Sequence, residues 1–187
     1  MLVLASASPR RREILAKFFE DFIVVPSGVG EESYAKTPEK HAVEVARRKA
    51  MKVAEKMGLG HTVVGADTVV VIDGEILGKP RDEDEARKML ERLSGRVHEV
   101  ITGYCIVHGG KIIEGFSRTE VKFRALSHLL INWYLSTGEW RDKAGAYGIQ
   151  GKGGLLVEWI RGDYYNVVGL PIEVIFKLVE LGFKLRP

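Results

Sequence analysis

The run Thr62-Val-Val-Gly-Ala-Asp67-Thr68-Val-Val-Val-Ile72 is apolar almost throughout and holds a single acid. Its β-branched content predicts a strand, and an aspartate inside such a strand is expensive unless a partner compensates its charge. Two readings of Asp67 follow: an acid with a chemical task, or a buried carboxylate tied to backbone amides. Asp73-Gly74 is a strong hairpin signal and returns the chain through Glu75-Ile-Leu-Gly-Lys79-Pro80.

The chain opens with a short apolar strand, Leu2 to Ser6, a tight turn and a helix. Ser8 is placed to cap that helix and Pro9 to occupy its first position, where a missing N–H costs nothing. Arg10, Arg11 and Arg12 then fill the first turn. A helix start carries partial positive charge, so arginines there destabilise by about 0.3–1 kcal/mol each when exposed. They fit if an anion sits on that end, with free amides, the Ser8 hydroxyl and guanidinium forks making a phosphate site. The alternative is a solvated basic turn without a ligand.

Further along, Phe22 to Pro26 reads as a second strand and Ser27 to Lys36 as a polar loop. Thr37-Pro38 starts a long helix with Ala42, Val45, Ala46, Lys49, Ala50 and Val53 on one face and Gly58 closing it. Lys49 on that apolar side either snorkels to solvent or projects into a site at the core's edge. Asp82 and Glu85 form a capping box for a helix over Glu83 to Leu93. Val97 to Arg124 predicts two long antiparallel strands joined at Gly109-Gly110, and Ser127 begins a short helix ending near Gly138. Asp142 to Gly154 has five glycines in thirteen residues, a loop that is mobile or lets backbone approach a ligand closely. Leu155–Ile160 and Tyr164–Val168 read as a hairpin around Arg161-Gly162-Asp163, and Leu170-Pro171 opens a last helix to Leu181. Helices interspersed with two long hairpins predict an α/β fold with a mixed sheet, in one domain over residues 1–187.

Composition excludes several classes. The net charge is only +3, from 28 basic and 25 acidic residues that are interspersed, which disfavours a nucleic-acid coat or a stable nucleic-acid partner. The single cysteine, Cys105, lies in an apolar run and forms neither an internal disulfide nor a thiolate metal cage. No segment approaches the ~20 apolar residues of a membrane span, and no signal peptide is visible, so a cytoplasmic location is expected. One glutamine and two asparagines among abundant Glu, Lys and Arg is a bias expected of heat-adapted proteins.

Candidate chemistry gathers in two groups: the cations Arg10, Arg11, Lys49 and Lys79, and the carboxylates Glu31, Glu32 and Asp67. A nucleoside triphosphate needs both, because its charge of about −4 calls for cations and a hard divalent metal needs only one or two carboxylates plus phosphate oxygens. His41, His61, His98, His108 and His128 form no zinc motif, and there is no GxxxxGK[ST] loop or G-x-S-x-G elbow. Hydrolysis would then use an activated water, with Asp67 to orient or deprotonate it. Gln150, between Gly148 and Gly151, could pair its amide with the edge of a uracil or thymine ring, and Thr68 could add a hydroxyl or be simply a strand former.

Ala5-Ser-x-Ser8-Pro9-Arg10-Arg11, Gly65-Ala66-Asp67-Thr68, Gly78-Lys79-Pro80-Arg81-Asp82, Leu93-Ser-Gly95, Asp142-Lys143 through Gln150-Gly and Val168-Gly169-Leu170-Pro171 closely resemble the Maf family of nucleotide pyrophosphatases. The resemblance runs from residue 2 to about residue 180. It implies hydrolysis between the α- and β-phosphates, with a divalent cation (Mg²⁺, Mn²⁺ or Co²⁺) and Asp67 as proton acceptor. It also implies that Ser8, Arg10, Arg11, Lys49 and Lys79 hold phosphates and that Glu32 joins Asp67 at the metal, Glu31 being the neighbouring alternative. Arg11, Thr68 and Gln150 together resemble the branch acting on dTTP and UTP, whereas a sister branch prefers 7-methyl-GTP. The implied fold is an elongated mixed sheet flanked by helices, with two lobes and a central cleft like inosine triphosphate pyrophosphatases, in a homodimer. A regulator of septum formation that binds nucleotide or nucleic acid is the alternative.

Overall fold

In the computed structural model, which describes residues 1–187, strands β1 (Leu2–Leu4), β2 (Phe22–Val24), β3 (Thr62–Ile72), β4 (Glu75–Leu77), β5 (Val97–His108), β6 (Lys111–Phe123) and β7 (Val157–Arg161) form one mixed sheet. Its order is β2-β1-β3-β5-β6-β7, with β4 alongside β3. β1 runs parallel to β2 and β3, and the remaining pairs are antiparallel. The helices are α1 (Pro9–Phe18), α2 (Pro38–Met57), α3 (Glu83–Leu93), α4 (His128–Ser136), α5 (Tyr164–Val168) and α6 (Ile172–Glu180).

Alternation along β3 and β5 assigns each residue to a face. On one face Val3, Val63, Cys105 and Val107 pack against Ala46, Ala50 and Val53 of α2. On the other, Leu2, Leu4, Val64, Ala66, Tyr104 and Ile106 meet α1 and α6. Farther along that same face Val70, Ile72 and Val100 join α3, α4 and the 146–156 segment in a separate cluster. The two lobes are these two clusters, strung along one pair of long strands.

α2 comes unusually close to the sheet. A Cβ on Gly65 would lie 2.4 Å from the Ala46 carbonyl oxygen, and one on Gly103 would lie 2.3 Å from the Ala42 carbonyl carbon. Gly103 is the cross-strand partner of Asp67, so these glycines seat α2 beside the acid.

Most local signals hold. The α2 face is buried as its periodicity predicts, and Thr37 accepts from the Lys40 N–H. Asp73 and Gly74 both take positive φ, the conformation a two-residue turn requires. Three expectations are corrected. Ser8 stands at the α1 cap, yet its side chain makes no capping bond; its own N–H donates to Ser6 Oγ instead. The Asp82 half of the capping box forms, but Glu85 turns back to the N–H of Arg81 and pairs with its guanidinium. Tyr164–Val168 is a helix rather than a strand, because the Asp163 carboxylate accepts from both the Tyr165 and Ile172 N–H groups and Gly169 ends the turn.

Candidate active site

β1 pairs with β3 only as far as Val64, while β4 begins pairing at Val70. Between them one edge of β3 is left open, and there a cavity of about 510 Å³ lies between the lobes. Because successive strand residues face opposite ways, the open edge lets a single cavity reach Asp67 on the α2 face and Thr68 on the other. Its lining includes Ser8, Arg10, Arg11, Glu31, Lys49, Asp67, Thr68, Lys79 and Gln150. Every candidate read from the sequence therefore lines the cavity except Glu32.

Glu31, not Glu32, faces the cations. The Lys49 ammonium donates to Glu31 at 3.0 Å and to Asp67 at 3.1 Å, and Lys79 stands 3.3 Å from Glu31. Glu32 is exposed, and the structure uses its backbone carbonyl as an acceptor for Arg48. Adjacent loop residues point apart, so only one of the pair turns inward. Lys49 does not snorkel: it is 6% exposed, held between the two carboxylates with the Ala66 carbonyl 3.5 Å away.

Burial pushes the Asp67 carboxyl above its ordinary value, and Lys49 and Arg11 offset this only in part. Burial also opposes the charge of Glu31, but there Lys49 and Lys79 prevail and hold its carboxyl low. Two carboxyls around one lysine are thus driven apart, one toward a base that titrates nearer neutrality and one toward a fixed anion. Burial lowers the Arg10 and Arg11 values as well, though guanidinium remains cationic.

Arg11 is braced on several sides. Its Nε donates to the Gly169 carbonyl at 2.7 Å, one terminal nitrogen to Thr68 Oγ1 at 3.0 Å and the other to Ser6 Oγ at 3.4 Å. Gly169 sits at φ 133, which favours glycine, and so brings that carbonyl to the arginine. Ser6 and Gly169 were not singled out as site residues by the sequence, although both lie within the quoted motifs.

Gln150 belongs to a loop held from behind. The Glu139 carboxylate accepts from the Lys152 and Gly153 N–H groups. The Tyr147 hydroxyl lies 2.6 Å from His98 Nε2, both rings being buried against Phe123. Burial depresses the His98 value to about 4, so the imidazole is neutral at physiological pH. The Gln150 side chain does not cap the turn that follows it and is left for the cavity. The loop's glycines include Gly153, whose Cβ would lie 2.0 Å from the Gly148 carbonyl oxygen, so the close backbone approach they permit is to the loop itself.

The lining holds four cations, Arg10, Arg11, Lys49 and Lys79, against three carboxylates, Glu31, Asp67 and Asp142. A polyphosphate is only partly neutralised by that balance, and two inward carboxylates supply hard oxygen donors, a set that fits a divalent cation arriving with phosphate.

A basic helix start, a buried acid held by lysine and an amide-bearing loop thus meet around one cleft, a set of groups suited to a polyphosphate. Residues 1–181 match the family described as Maf-like protein, and the chain belongs to the Maf family. A protein of Pyrococcus abyssi named dTTP/UTP pyrophosphatase is 61% identical over 100% of this chain and 99% of its own. Proteins of the same name from Thermococcus gammatolerans and Thermococcus kodakarensis are 66% and 64% identical, each over 98% of this chain and over 98% and 97% of their own. Among solved structures, the Staphylococcus aureus Ham1 protein aligns with 65% of this chain and 71% of its own at 15% identity, with a TM-score of 0.48. No helix is long and apolar enough to cross a membrane.

Proposed function

We propose that this chain is a nucleoside triphosphate pyrophosphatase that hydrolyses dTTP and UTP to the nucleoside monophosphate and diphosphate. The observation that carries the reading is convergence: the α1 turn, α2, β3, the segment after β4 and the 142–150 loop all line one cavity. The name shared by relatives at 61–66% identity supports the choice of substrate.

Free amides at the start of α1, the Ser8 hydroxyl, Arg10, Arg11 and Lys79 bind the phosphate chain. Ionised Asp67, aimed by the Lys49 ammonium, takes a proton from the attacking water. The water oxygen bonds to the α-phosphorus as the bond from that phosphorus to the bridging oxygen breaks, and diphosphate leaves with its charge matched by the surrounding cations. A divalent cation held by Asp67, Glu31 and phosphate oxygens would neutralise charge and acidify the water when bound. Gln150 offers a carbonyl and an amide NH₂ to the N–H and carbonyl edge shared by uracil and thymine. A homodimer and a cytoplasmic location belong to the same reading and rest on the family resemblance.

The test is incubation of purified protein and Mg²⁺ with UTP, dTTP, CTP, ATP, GTP and 7-methyl-GTP, with the products identified. UTP and dTTP should be cleaved fastest, to monophosphate and diphosphate. Release of orthophosphate with a nucleoside diphosphate, or a purine preference, overturns the proposal.

A further inference from the structure

We infer that Thr102, outside the cavity lining, is a positioning residue for phosphate binding: it fixes the Thr68 hydroxyl as an acceptor for Arg11. The inference rests on the function proposed above.

Thr68 and Thr102 are directly opposed in the β3–β5 ladder, on the face where the two lobes meet, and their hydroxyl oxygens are 2.8 Å apart. Either could donate if the pair stood alone. It does not, because Thr102 Oγ1 also lies 3.2 Å from the Asn166 carbonyl of α5. A carbonyl only accepts, and a hydroxyl has one proton. The Thr102 proton is therefore committed to Asn166, the Thr68 proton to Thr102, and a lone pair on Thr68 is left toward the Arg11 guanidinium 3.0 Å away. The relay runs one way. Thr68 has no proton to give a nucleotide, so its contribution to substrate binding passes through Arg11.

The far end of the relay is rigid. Asn166 and Thr102 are fully buried, and the Asn166 amide donates to the Val100 carbonyl at 3.1 Å and to Thr119 Oγ1 at 2.9 Å. The residue that caps the same helix, Gly169, accepts from Arg11 Nε at 2.7 Å. Arg11 is thus tied to α5 twice, directly at Nε and through two threonines at a terminal nitrogen, which sets the plane of the guanidinium and the direction of its remaining N–H groups. Without the Thr102 hydroxyl, the Thr68 proton loses its acceptor and the hydroxyl is no longer held in one orientation toward Arg11.

Thr102→Val keeps the shape and removes the hydroxyl, and Thr102→Ser keeps the hydroxyl. Two readouts are needed: the split of any loss between KM and kcat for UTP, and solvent exchange of the Arg11 terminal guanidinium N–H groups by NMR in the free protein. With Thr102→Val, kcat/KM for UTP should fall about fivefold, mostly through KM, as expected for a lost buried hydrogen bond between neutral groups, and exchange of the Arg11 terminal N–H groups should quicken; Thr102→Ser should restore both. Thr102→Ala serves as a second deletion if the valine variant does not fold. Unchanged kinetics or unchanged exchange overturns the inference, as does a loss that Thr102→Ser fails to restore. Should the wild type cleave neither UTP nor dTTP while the exchange follows the hydroxyl, the relay stands and the proposed substrate fails.

Discussion

Replacing Lys49 by methionine probes how the acid in β3 is kept usable. The two side chains of the pair are 8% and 5% exposed, and removing one partner of a buried ion pair costs about 3–5 kcal/mol. That cost is a ceiling, reached only while Asp67 stays ionised. Burial already raises its carboxyl, and Lys49 is the foremost charge opposing the rise, so the methionine variant raises it further. Between the ordinary carboxylate range and the raised value, the folded chain holds a proton that the unfolded chain has released. Stability of the variant then falls as pH rises, by about 1.4 kcal/mol per pH unit within that window. Glu31 loses one of its two lysines as well, but it is half-exposed and solvent screens the change. Denaturant unfolding of both proteins at pH 5 and pH 8 should give a difference of about 1 kcal/mol or less at the lower pH, widening to about 3 kcal/mol at the higher. Hydrolysis by the variant should recover as pH rises and Asp67 ionises. A stability gap equal at the two pH values within about 0.5 kcal/mol would refute the coupling.

Glu31→Gln should lower kcat/KM for UTP about tenfold or more, since it removes the anion shared by Lys49 and Lys79, whereas Glu32→Gln should stay within about twofold; steady-state kinetics of the two variants decides between neighbours. Gln150→Glu should cost UTP and dTTP about a hundredfold in kcat/KM by replacing the amide donor with an acceptor, and an unchanged substrate ranking in the same assay would remove Gln150 from base recognition.

Much of this site was legible because its signals are local. The 3.6-residue spacing of Ala42, Val45, Ala46, Lys49, Ala50 and Val53 placed the lysine on the buried face of α2, and the acid within β3 stood out against its apolar neighbours. What locality could not supply was which way neighbouring loop residues point, so the sequence favoured Glu32 where the loop, laid against α2, turns Glu31 inward. The error at Tyr164–Val168 has the same root. Aromatic and β-branched residues read as strand, but one carboxylate, Asp163, satisfies two backbone amides and makes the helix cheaper. Thr102 gave no sign of its own, because its meaning depends on the register that sets it opposite Thr68 and beneath α5.

The proposed mechanism makes Asp67 the proton acceptor in a cavity whose cations do most of the work of holding the nucleotide. Asp67→Asn keeps the shape of the side chain and removes its basicity. Calorimetric binding of a non-hydrolysable α,β-methylene analogue of UTP, measured beside UTP turnover, should show affinity within about tenfold of wild type and turnover lower by at least a hundredfold. Turnover near the wild-type rate, or loss of binding in step with loss of hydrolysis, would contradict it.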